Sequence, residues 1–328
     1  MSAQVVIVTP ALGDANNGNW QTAHRWAGFL AGAYRVRLAK HWPDADADAD
    51  AARDQVMIAL HARRSAASVA AWHSARGSAG LGLVLTGTDL YRDIQFDAAA
   101  QRSLALAREI VVLQEQGPKV LPLEVRDKAR VIFQSAASRR ELPKTSRHLR
   151  VLMVGHLRSE KSPETLFAVA RLLADYDEIL IDHIGAALEP DLGEQARATM
   201  AECRNYRWLG NLPHVQTRGC IQRAHLLVHC SRIEGGAHVV MEAVTSGTPV
   251  LASRIDGNVG MLGEDYAGYF AWNDADALAN LLKSCREDQR RPQGLFRRIE
   301  EQARTRSALF APEFERQEVR RLVKDLTQ

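Results

Sequence analysis

The feature of this 328-residue sequence that most constrains its fold is an alternation of short apolar runs with Ala-rich helical stretches. Residues 4–8 form an apolar run with the length of a buried strand, and a Gly- and Asn-rich loop at 13–19 separates it from apolar positions at helical spacing. Further strand-like runs occupy 34–38, 56–60, 81–86 and 109–113, with helical stretches at 65–72 and 98–107. This alternation predicts an α/β fold, with a parallel sheet covered by helices on both faces.

A second set of elements follows the polar, Pro-containing segment 138–148, which we interpret as an interdomain linker. Its predicted strands are 150–154, 178–184, 206–209, 226–230 and 249–252, and its predicted helices are 163–173 and 237–246. Residues 312–326 contain too few apolar positions for a core of their own, which predicts a helix lying on another part of the molecule. The sequence therefore predicts two α/β domains, over residues 1–145 and 148–308.

Charge and composition argue against several classes of protein. Lys and Arg number 42 against 39 Asp and Glu, and this even balance of +3 does not favour nucleic-acid binding. No apolar stretch approaches the about 18 residues of a membrane span, and no basic leader precedes the first apolar run, so we expect a cytoplasmic protein with no membrane partner. His225 and His229 lack a third ligand and are interpreted as core or edge histidines. Four cysteines without metal-ligand spacing are expected to be free thiols: Cys203, Cys220, Cys230 and Cys285.

A Gly-rich segment of the second domain indicates an anion site. Gly235 and Gly236 directly precede a predicted helix, whose free N–H groups and positive dipole end attract anions. Glu242 lies about five residues into this helix and about 7 to 8 Å along its axis, which is the distance between a diphosphate and its ribose. Glu234, on the preceding loop, would face the group beyond the diphosphate. A Gly-rich turn with two surface glutamates would account for the same residues.

A second loop carries two cations at another predicted helix N-terminus. Ser162 has the residue type of an N-cap and Pro163 that of a first helical position, which places Arg158 and Lys161 in the loop after a strand. Fixed cations at such a place can stabilise the charge of a leaving diphosphate, the role that a metal otherwise plays. The sequence has neither a G-x-G-x-x-G motif after the first strand nor a P-loop motif, which argues against NAD enzymes and P-loop NTPases.

These two segments resemble the donor domain of GT-B glycosyltransferases of the family 4 type. The resemblance spans about residues 150–272 and rests on Glu234 and Glu242 with seven residues between them, on residues 246–250 and on Leu209-Gly210. It implies two Rossmann-like domains whose parallel sheets face each other across a cleft, with the last helix, 312–328, packing back on the N-terminal domain. It also implies a UDP-sugar substrate, no metal or other cofactor, and a uracil-binding loop at 209–212.

The same resemblance implies roles for individual residues. The residues assigned to catalysis are Glu234, Arg158 and Lys161, and those assigned to the donor are Gly235, Gly236, Ala237, Glu242, Gly210 and Gly18. The sequence departs from the family pattern in two places. His156 stands where many relatives have Arg, so Arg158 is assigned that role, and Thr88 stands where many relatives have a histidine.

A narrower resemblance covers nearly the whole chain. Residues 9–20, 60–66, 85–93 and 155–158 are similar to the selenosugar synthases of selenoneine biosynthesis. This implies an enzyme that joins selenophosphate to the sugar of a UDP-sugar, chiefly UDP-N-acetylglucosamine, and releases UDP, with a pathway partner that supplies selenophosphate. A selenium anion is a strong nucleophile, so the site would need positioning and charge more than a base. The predicted acceptor residues are Asn17, Asn19, Arg63, Arg64, Thr88, Asp89 and Arg92.

Two other functions fit the same sequence. The chain could be a GT-B glycosyltransferase with a hydroxyl acceptor, a lipid or a saccharide, although no basic aromatic face for membrane docking stands out. It could instead be a nucleotide-sugar sensor without turnover, since a fold does not determine function. The presence of both Glu234 and Lys161 favours an enzyme, because binding alone does not require charges at the scissile phosphate.

Overall fold

The computed structural model describes the backbone of residues 3–12, 18–44 and 48–328, and the side chains of these residues except 48 and 49. The chain divides into two compact units. The first comprises Met1–Gln134 together with Pro312–Gln328, and the second comprises Ser135–Ala311. The units are described separately below.

The described part of the first unit contains a six-stranded parallel sheet. Its strands are β1 (Gln4–Val8), β2 (Arg35–Ala39), β3 (Asp54–Leu60), β4 (Leu81–Val84), β5 (Glu109–Val112) and β6 (Ala129–Val131), in the order β2-β1-β3-β4-β5-β6. The helices between them are α1 (Gly18–Leu30), α2 (Asp48–Arg53), α3 (Ala66–Arg76), α4 (Ile94–Phe96), α5 (Ala98–Leu106), α6 (Gly117–Val120) and α7 (Leu123–Arg126). A π-helical turn, Asp89–Asp93, precedes α4. The predicted alternation of strands and helices is confirmed.

The second unit also contains a six-stranded parallel sheet. Its strands are β7 (Leu149–Val154), β8 (Ile179–Ile184), β9 (Tyr206–Trp208), β10 (Leu226–His229), β11 (Val250–Ser253) and β12 (Tyr269–Phe270), in the order β12-β11-β10-β7-β8-β9. Its helices are α8 (Pro163–Leu172), α9 (Pro190–Glu202), α10 (His214–Arg223), α11 (His238–Val244), α12 (Asp256–Leu262), α13 (Ala275–Asp288) and α14 (Leu295–Arg306). Short 3-10 turns span Ser159–Lys161 and Ser307–Phe310. The predicted α/β class with two parallel sheets is confirmed.

The last helix, α15 (Pro312–Leu326), belongs to the first unit, where the family resemblance placed it. Its apolar face includes Val319, Leu322 and Val323, which join the buried cluster on one face of the first sheet. Glu315 is fully buried, and its carboxylate accepts hydrogen bonds from Arg25 Nε at 2.8 Å and from Trp26 Nε1 at 2.7 Å. This charged contact fixes the helix against α1.

The second unit begins at Ser135, before the predicted linker 138–148. Its own groups hold this segment, because Arg218 Nη2 donates to Ala137 O at 2.6 Å and Gln222 Nε2 donates to Arg140 O at 2.6 Å. The backbone N–H of Arg139 donates to Thr245 O at 3.0 Å. The sequence boundary at 145 was therefore too late, since a polar, Pro-containing stretch can be ordered by hydrogen bonds to its neighbours.

Candidate active site

A buried charge cluster of the second unit joins three of its loops and strands. Lys161 Nζ donates to Glu234 Oε1 in a very short ion pair, with both side chains less than one fifth exposed. The Nε2 atom of His229 lies 3.4 Å from the same carboxylate oxygen. Burial alone would raise the pKa of Glu234, but Lys161 and His229 hold it well below its usual range. Glu234 is therefore ionised, and its carboxylate binds the ammonium group of Lys161.

Local backbone geometry brings these side chains together. The 3-10 turn Ser159–Lys161 follows β7, and Ser162 adopts a left-handed conformation before α8 begins at Pro163. Ser162 occupies the predicted N-cap position, but its side chain forms no cap hydrogen bond and accepts instead from Trp272 Nε1 at 3.0 Å. This sharp turn after a strand places Lys161 near the carboxyl end of the sheet, where parallel α/β folds bind ligands.

The loop that carries Glu234 contacts the start of α12 through a position without a side chain. A Cβ atom at Gly257 would lie 2.1 Å from Glu234 O and 2.9 Å from Glu234 Cβ. Any larger residue at 257 would therefore displace the Glu234 backbone. This close approach of the two segments holds the backbone of Glu234 in place.

His229 is held by a buried polar chain beneath Glu234. Its Nδ1 lies 3.0 Å from Asn258 Oδ1, and Asn258 Nδ2 donates to Ser253 O at 2.8 Å, which assigns the amide oxygen to the histidine. Nδ1 therefore carries a proton. Ser231 Oγ lies 3.1 Å from His229 Nε2, and Ser253 Oγ donates to Ser231 O at 2.6 Å. His229 is buried, as expected for a core histidine, but its interpretation as core alone was incomplete because it also contacts Glu234.

Glu242, the second carboxylate of the motif, is nearly fully buried on α11 and lies among three basic side chains. Its Oε1 accepts from His214 Nε2 at 2.6 Å and lies 3.5 Å from both Arg218 Nη1 and His238 Nδ1. Burial would raise the pKa of Glu242, but His238, His214 and Arg218 lower it to about 2. A carboxylate that stays ionised and accepts several hydrogen bonds suits the binding of vicinal hydroxyl groups.

The glycine loop before α11 differs in part from its predicted role. Gly235 and Gly236 lie on the loop before α11, separated from its first residue by Ala237, and Gly235 is buried. The backbone N–H of Ala237, predicted to bind the diphosphate, points at Met261 Sδ at 3.1 Å. The sequence could not reveal this contact, because Met261 lies on α12, a helix that the sequence analysis did not predict.

Arg158 and Gly210 lie on loops of the same unit. Arg158 is about half exposed, and its Nε lies 4.0 Å from Glu160, so its guanidinium keeps donors for a ligand. Gly210 follows β9 with a φ of +68°, a conformation that favours glycine, and open space lies around its Cβ position. Its carbonyl accepts from Gly185 N at 2.8 Å. This loop is therefore tied to the end of β8 while its outer side stays accessible.

In the first unit, the predicted acceptor residue Asp89 has a structural role instead. Its side chain is fully buried and accepts from the backbone N–H groups of Ala62 at 2.9 Å, Thr86 at 2.8 Å and Gly87 at 2.9 Å. A buried carboxylate that binds three backbone amides orders loops and is not exposed to a ligand. We therefore reassign Asp89 from acceptor binding to positioning, a correction that residue type and spacing could not have shown.

Next to Asp89 lies a histidine that the sequence analysis did not single out. His61 has a φ of +74°, is 2% exposed, and lies between Asp89 and Asp93, each 3.9 Å from a ring nitrogen. Its Nε2 lies 3.4 Å from the hydroxyl of Thr88, where the family resemblance leads us to expect a histidine. Burial lowers the pKa of His61, with Asp89 acting in the opposite direction. A strained backbone beside a π-helical turn is typical of a functional region.

Two of the three predicted acceptor arginines are held by one carboxylate. Arg63 Nε donates to Asp93 Oδ2 at 2.8 Å and Arg92 Nε donates to Asp93 Oδ1 at 3.2 Å. The two arginine side chains are 41% and 58% exposed, so each keeps donors toward solvent. Arg64 is exposed, and its backbone N–H lies 3.4 Å from His61 Nδ1. The structure thus brings Arg63 and Arg92 together with Thr88 and His61.

The start of α1 holds the remaining predicted residues. Gly18 begins this helix in the first unit, and its carbonyl accepts from Thr22 Oγ1 at 2.9 Å. It therefore lies in a different unit from the other five predicted donor residues. A Cβ at Gly18 would meet no atom within 4 Å, so packing does not require glycine there. Asn19 lies in the first turn of α1, and Asn17 lies outside the described residues.

Several residues at the Glu242 cluster were missed by the sequence analysis. His238 precedes Glu242 by four residues on one helix, a spacing that could have indicated the contact. His214 and Arg218 are also four apart and share a face of α10, but no local signal connects that helix to Glu242. Long-range contacts of this kind depend on the fold.

Other properties of the described residues bear on the function. Cys203, Cys220, Cys230 and Cys285 are free thiols, as predicted. In the part of the chain that the structure describes, no three His, Cys, Asp or Glu side chains are grouped as metal ligands. None of the described helices combines the length and apolar character that crossing a membrane requires.

Comparison with known proteins relates this arrangement to one family. The family described as "Glycosyl transferases group 1" matches residues 134–306, more than half of the chain. HepE of Anabaena, solved in complex with UDP, is 15% identical with a TM-score of 0.75, over 99% of this chain and 100% of HepE. Sucrose-phosphate synthase of Thermosynechococcus elongatus is 17% identical with a TM-score of 0.72, over 99% of each chain.

A longer relative matches less completely. TarM of S. aureus, solved with Fondaparinux, alpha-GlcNAc-glycerol and UDP, is 16% identical with a TM-score of 0.59, over 83% of this chain. The chain spans 55% of the length of that structure. At these identities the likeness to the solved structures shows a shared fold, the GT-B fold expected from the sequence.

Proposed function

The chain belongs to the group 1 family of glycosyl transferases, and we propose that it transfers the sugar of a UDP-sugar, UDP-N-acetylglucosamine, to selenophosphate. Two buried carboxylates with seven residues between them support the UDP-sugar part of this proposal, since each is ionised and held by basic groups from other elements. UDP in the solved structures of HepE and TarM supports the same leaving group here.

The two carboxylates have different roles in this proposal. Glu242 accepts hydrogen bonds from the ribose hydroxyls, and the exposed His214 and His238 can turn aside to admit them. Glu234 orients the ammonium of Lys161, and Lys161 with Arg158 binds the diphosphate. These cations stabilise the negative charge that grows on the leaving oxygen, since fixed charges need no reorganisation during the reaction.

The reaction itself forms one bond and breaks another. The selenium of selenophosphate donates an electron pair to the anomeric carbon, and the bond from that carbon to the β-phosphate oxygen breaks. The electrons of the broken bond remain on UDP, which leaves with its additional negative charge beside Lys161 and Arg158. No proton has to be removed from the selenium anion, so the step does not need a general base.

The first unit supports a small anionic acceptor. Arg63 and Arg92 keep exposed donors and are oriented by a shared carboxylate, as suits recognition of a phosphate-like group. The nearby histidine, His61, is buried, and its Nε2 lies 3.4 Å from the hydroxyl of Thr88. A hydroxyl acceptor carries a proton that a base or the leaving diphosphate must accept, whereas a selenium anion carries none.

The test is UDP release from UDP-N-acetylglucosamine with selenophosphate, run beside phosphate, thiophosphate and a sugar alcohol as acceptors. We expect turnover with selenophosphate and a sugar product that carries the isotope pattern of selenium. The variant E242Q serves as the control that the signal comes from this site. UDP release with the sugar alcohol alone would replace the selenophosphate proposal by a hydroxyl acceptor, and donor binding without any UDP release would replace it by a sensor.

A further inference from the structure

A basic cavity of the second unit lies apart from the carboxylate clusters described above. It has a volume of about 150 Å³ between the sheet and α10. Its ionisable lining consists of Arg150 on β7, Asp182 on β8, Arg207 on β9, and Cys220 and Arg223 on α10. Three guanidinium groups and one carboxylate therefore line the cavity.

The sheet register explains why the single carboxylate does not neutralise the cavity. Asp182 lies directly opposite Arg207 in the parallel pairing of β8 with β9. Arg207 binds the Asp182 carboxylate with Nε at 2.8 Å and Nη2 at 2.7 Å, so the charge of Asp182 is neutralised by Arg207. The charges of Arg150 and Arg223 remain, and neither forms an ion pair with any described residue.

One of these arginines has a buried donor without a partner, and the other has only a weak acceptor within the protein. Arg150 Nε is buried without a hydrogen-bond partner among the described residues. Arg223 Nη2 donates to Cys220 Sγ at 3.7 Å, and sulfur is a weak acceptor. A buried donor without an acceptor is unfavourable, and a bound oxyanion would supply the missing acceptor for Arg150.

A wider opening of about 460 Å³ shares Arg150 and Arg223 with this cavity. Its other ionisable lining residues are Lys144, His148 and His225, so none of its lining residues is acidic. Burial and then Arg150, with other cations, lower the pKa of His148, and burial lowers that of His225 to about 4. The histidines are thus uncharged at neutral pH, and the positive potential comes from the arginines and Lys144.

We propose that Arg150 and Arg223 form a binding site for a small oxyanion of the phosphate class, distinct from the proposed ribose and diphosphate contacts. The cavity shares Leu209 with the loop that is expected to bind uracil. Both guanidinium groups can donate two parallel hydrogen bonds to such a ligand, and the cavity is large enough to hold it. Free phosphate and the phosphate group of a small monoester share this chemistry. The site lies at the last residue of α10, about 13 Å along the helix from His214, which binds Glu242.

The experiment is a calorimetric titration of the whole chain at pH 7.5 and constant ionic strength, with inorganic phosphate in one arm and glycerol 3-phosphate in the other. R150Q and R223Q should each weaken phosphate binding by about 10-fold or more, the effect of losing a charge-assisted hydrogen bond. R204Q is the matched control, since Arg204 is an exposed arginine of the same unit that lines neither cavity. Tighter binding in one arm identifies the source of the phosphate.

The variant K161Q separates this site from the proposed diphosphate site. Phosphate binding that persists in K161Q and is lost in R150Q and R223Q supports the proposal. Binding lost in K161Q and kept in R223Q would move the anion to the Lys161 loop and overturn it. Equal weakening by R204Q, or an absence of measurable phosphate binding, would overturn it as well. Arg223 is exposed, so R223Q tests the site without removing buried packing.

Discussion

The charge clusters of the two units are built in opposite ways. In the second unit, Glu234 and Glu242 are buried carboxylates that receive their hydrogen bonds from side chains on other elements, such as Lys161 and His214. In the first unit, Asp89 is buried among backbone N–H groups, and Asp93 binds two exposed arginines. The charged residues of the first unit lie within residues 61–93, whereas those of the second unit are spread over residues 161–242.

This difference has a consequence for function. Side-chain partners can turn aside and give their hydrogen bonds to a ligand, whereas backbone amides stay where the fold places them. The Glu242 cluster is therefore arranged to exchange partners with a charged substrate, whereas the Asp89 carboxylate is arranged to keep a loop in one conformation. Asp89 and Glu242 are both buried, but only Glu242 is held by side chains, such as those of His214 and His238, that can change conformation.

The largest expected effect is on the buried ion pair of the second unit. K161M or E234Q leaves one buried charge without its partner, which destabilises a protein by about 3–5 kcal/mol. Urea unfolding should show a smaller loss for the double variant K161M/E234Q than for the sum of the singles. R171M is the matched control, because its ion pair with Glu202 is half exposed, and there we expect about 0–1 kcal/mol. An equal loss in K161M and R171M would contradict this account.

Acidification should destabilise the second unit more than the first. His183 and His225 have a pKa of about 4 when folded, chiefly because of burial, against 6.5 ordinarily. The unfolded chain binds more protons between these values, so stability is full above pH 6.5 and falls toward pH 4, by about 3 kcal/mol per histidine. Hydrogen exchange at pH 7 and pH 5 should show protection lost mainly in residues 149–184 and 206–229. The variant H225N should reduce this pH dependence, and an unchanged dependence would exclude His225 as a cause.

The variant E242Q should impair donor binding, in addition to a loss of stability from leaving the buried Arg218 without its carboxylate. Replacing the ionised carboxylate removes a charge-assisted hydrogen bond of about 1.5–3 kcal/mol, which lowers kcat/KM for the UDP-sugar by about 10- to 150-fold. The KM of the acceptor should stay unchanged. H238Q, which alters a partner of the same carboxylate, should have a smaller effect, and full activity in E242Q would mean that the ribose binds elsewhere.

The variant D89N should destabilise the first unit without weakening UDP binding. An amide offers one acceptor oxygen in place of two, so at least one of three buried backbone N–H groups loses its partner, at about 1–3 kcal/mol. Hydrogen exchange should increase in residues 61–93 while the affinity for UDP stays as it was. A loss of UDP affinity without loss of protection would show that Asp89 contacts the substrate.

The smallest expected effects on stability are those of R63A and R92A, because both arginines are exposed. Each should raise the KM of selenophosphate by roughly 10-fold, the effect of one lost charge-assisted hydrogen bond, and leave the KM of the UDP-sugar unchanged. Steady-state kinetics with each substrate varied in turn measures the two constants. An equal rise in both would remove these arginines from the acceptor site.

Most of the fold could be predicted from the sequence because buried parallel strands are continuous apolar runs. The runs at 4–8 and 149–154 show this pattern, and helix 312–326 was predicted with its observed bounds. Two strands were missed, Ala129–Val131 and Tyr269–Phe270. Both are short strands at the edges of their sheets, and hydrogen bonds to a neighbour, rather than their own apolar pattern, define them.

The site was predictable where one segment carries both the residue and its context. Glu234, Gly235 and Glu242 belong to a single motif, and the structure places that motif at a loop and helix as expected. The sequence could not show that Asp89 would bind backbone amides, or that His61 would adopt a left-handed conformation, because both depend on how two loops meet. It also gave no sign that Asn258 would hold His229 beneath Glu234.

The position of α15 has a consequence for the order in which the protein can form. Val319, Leu322 and Val323 complete the core on one face of the first sheet, and Glu315 satisfies Arg25 and Trp26 of α1. A ribosome makes these residues after the whole of the second unit. One face of the first sheet therefore stays partly uncovered until the last helix has been synthesised. The second unit consists of the continuous residues 135–311 and can fold before the first unit is complete.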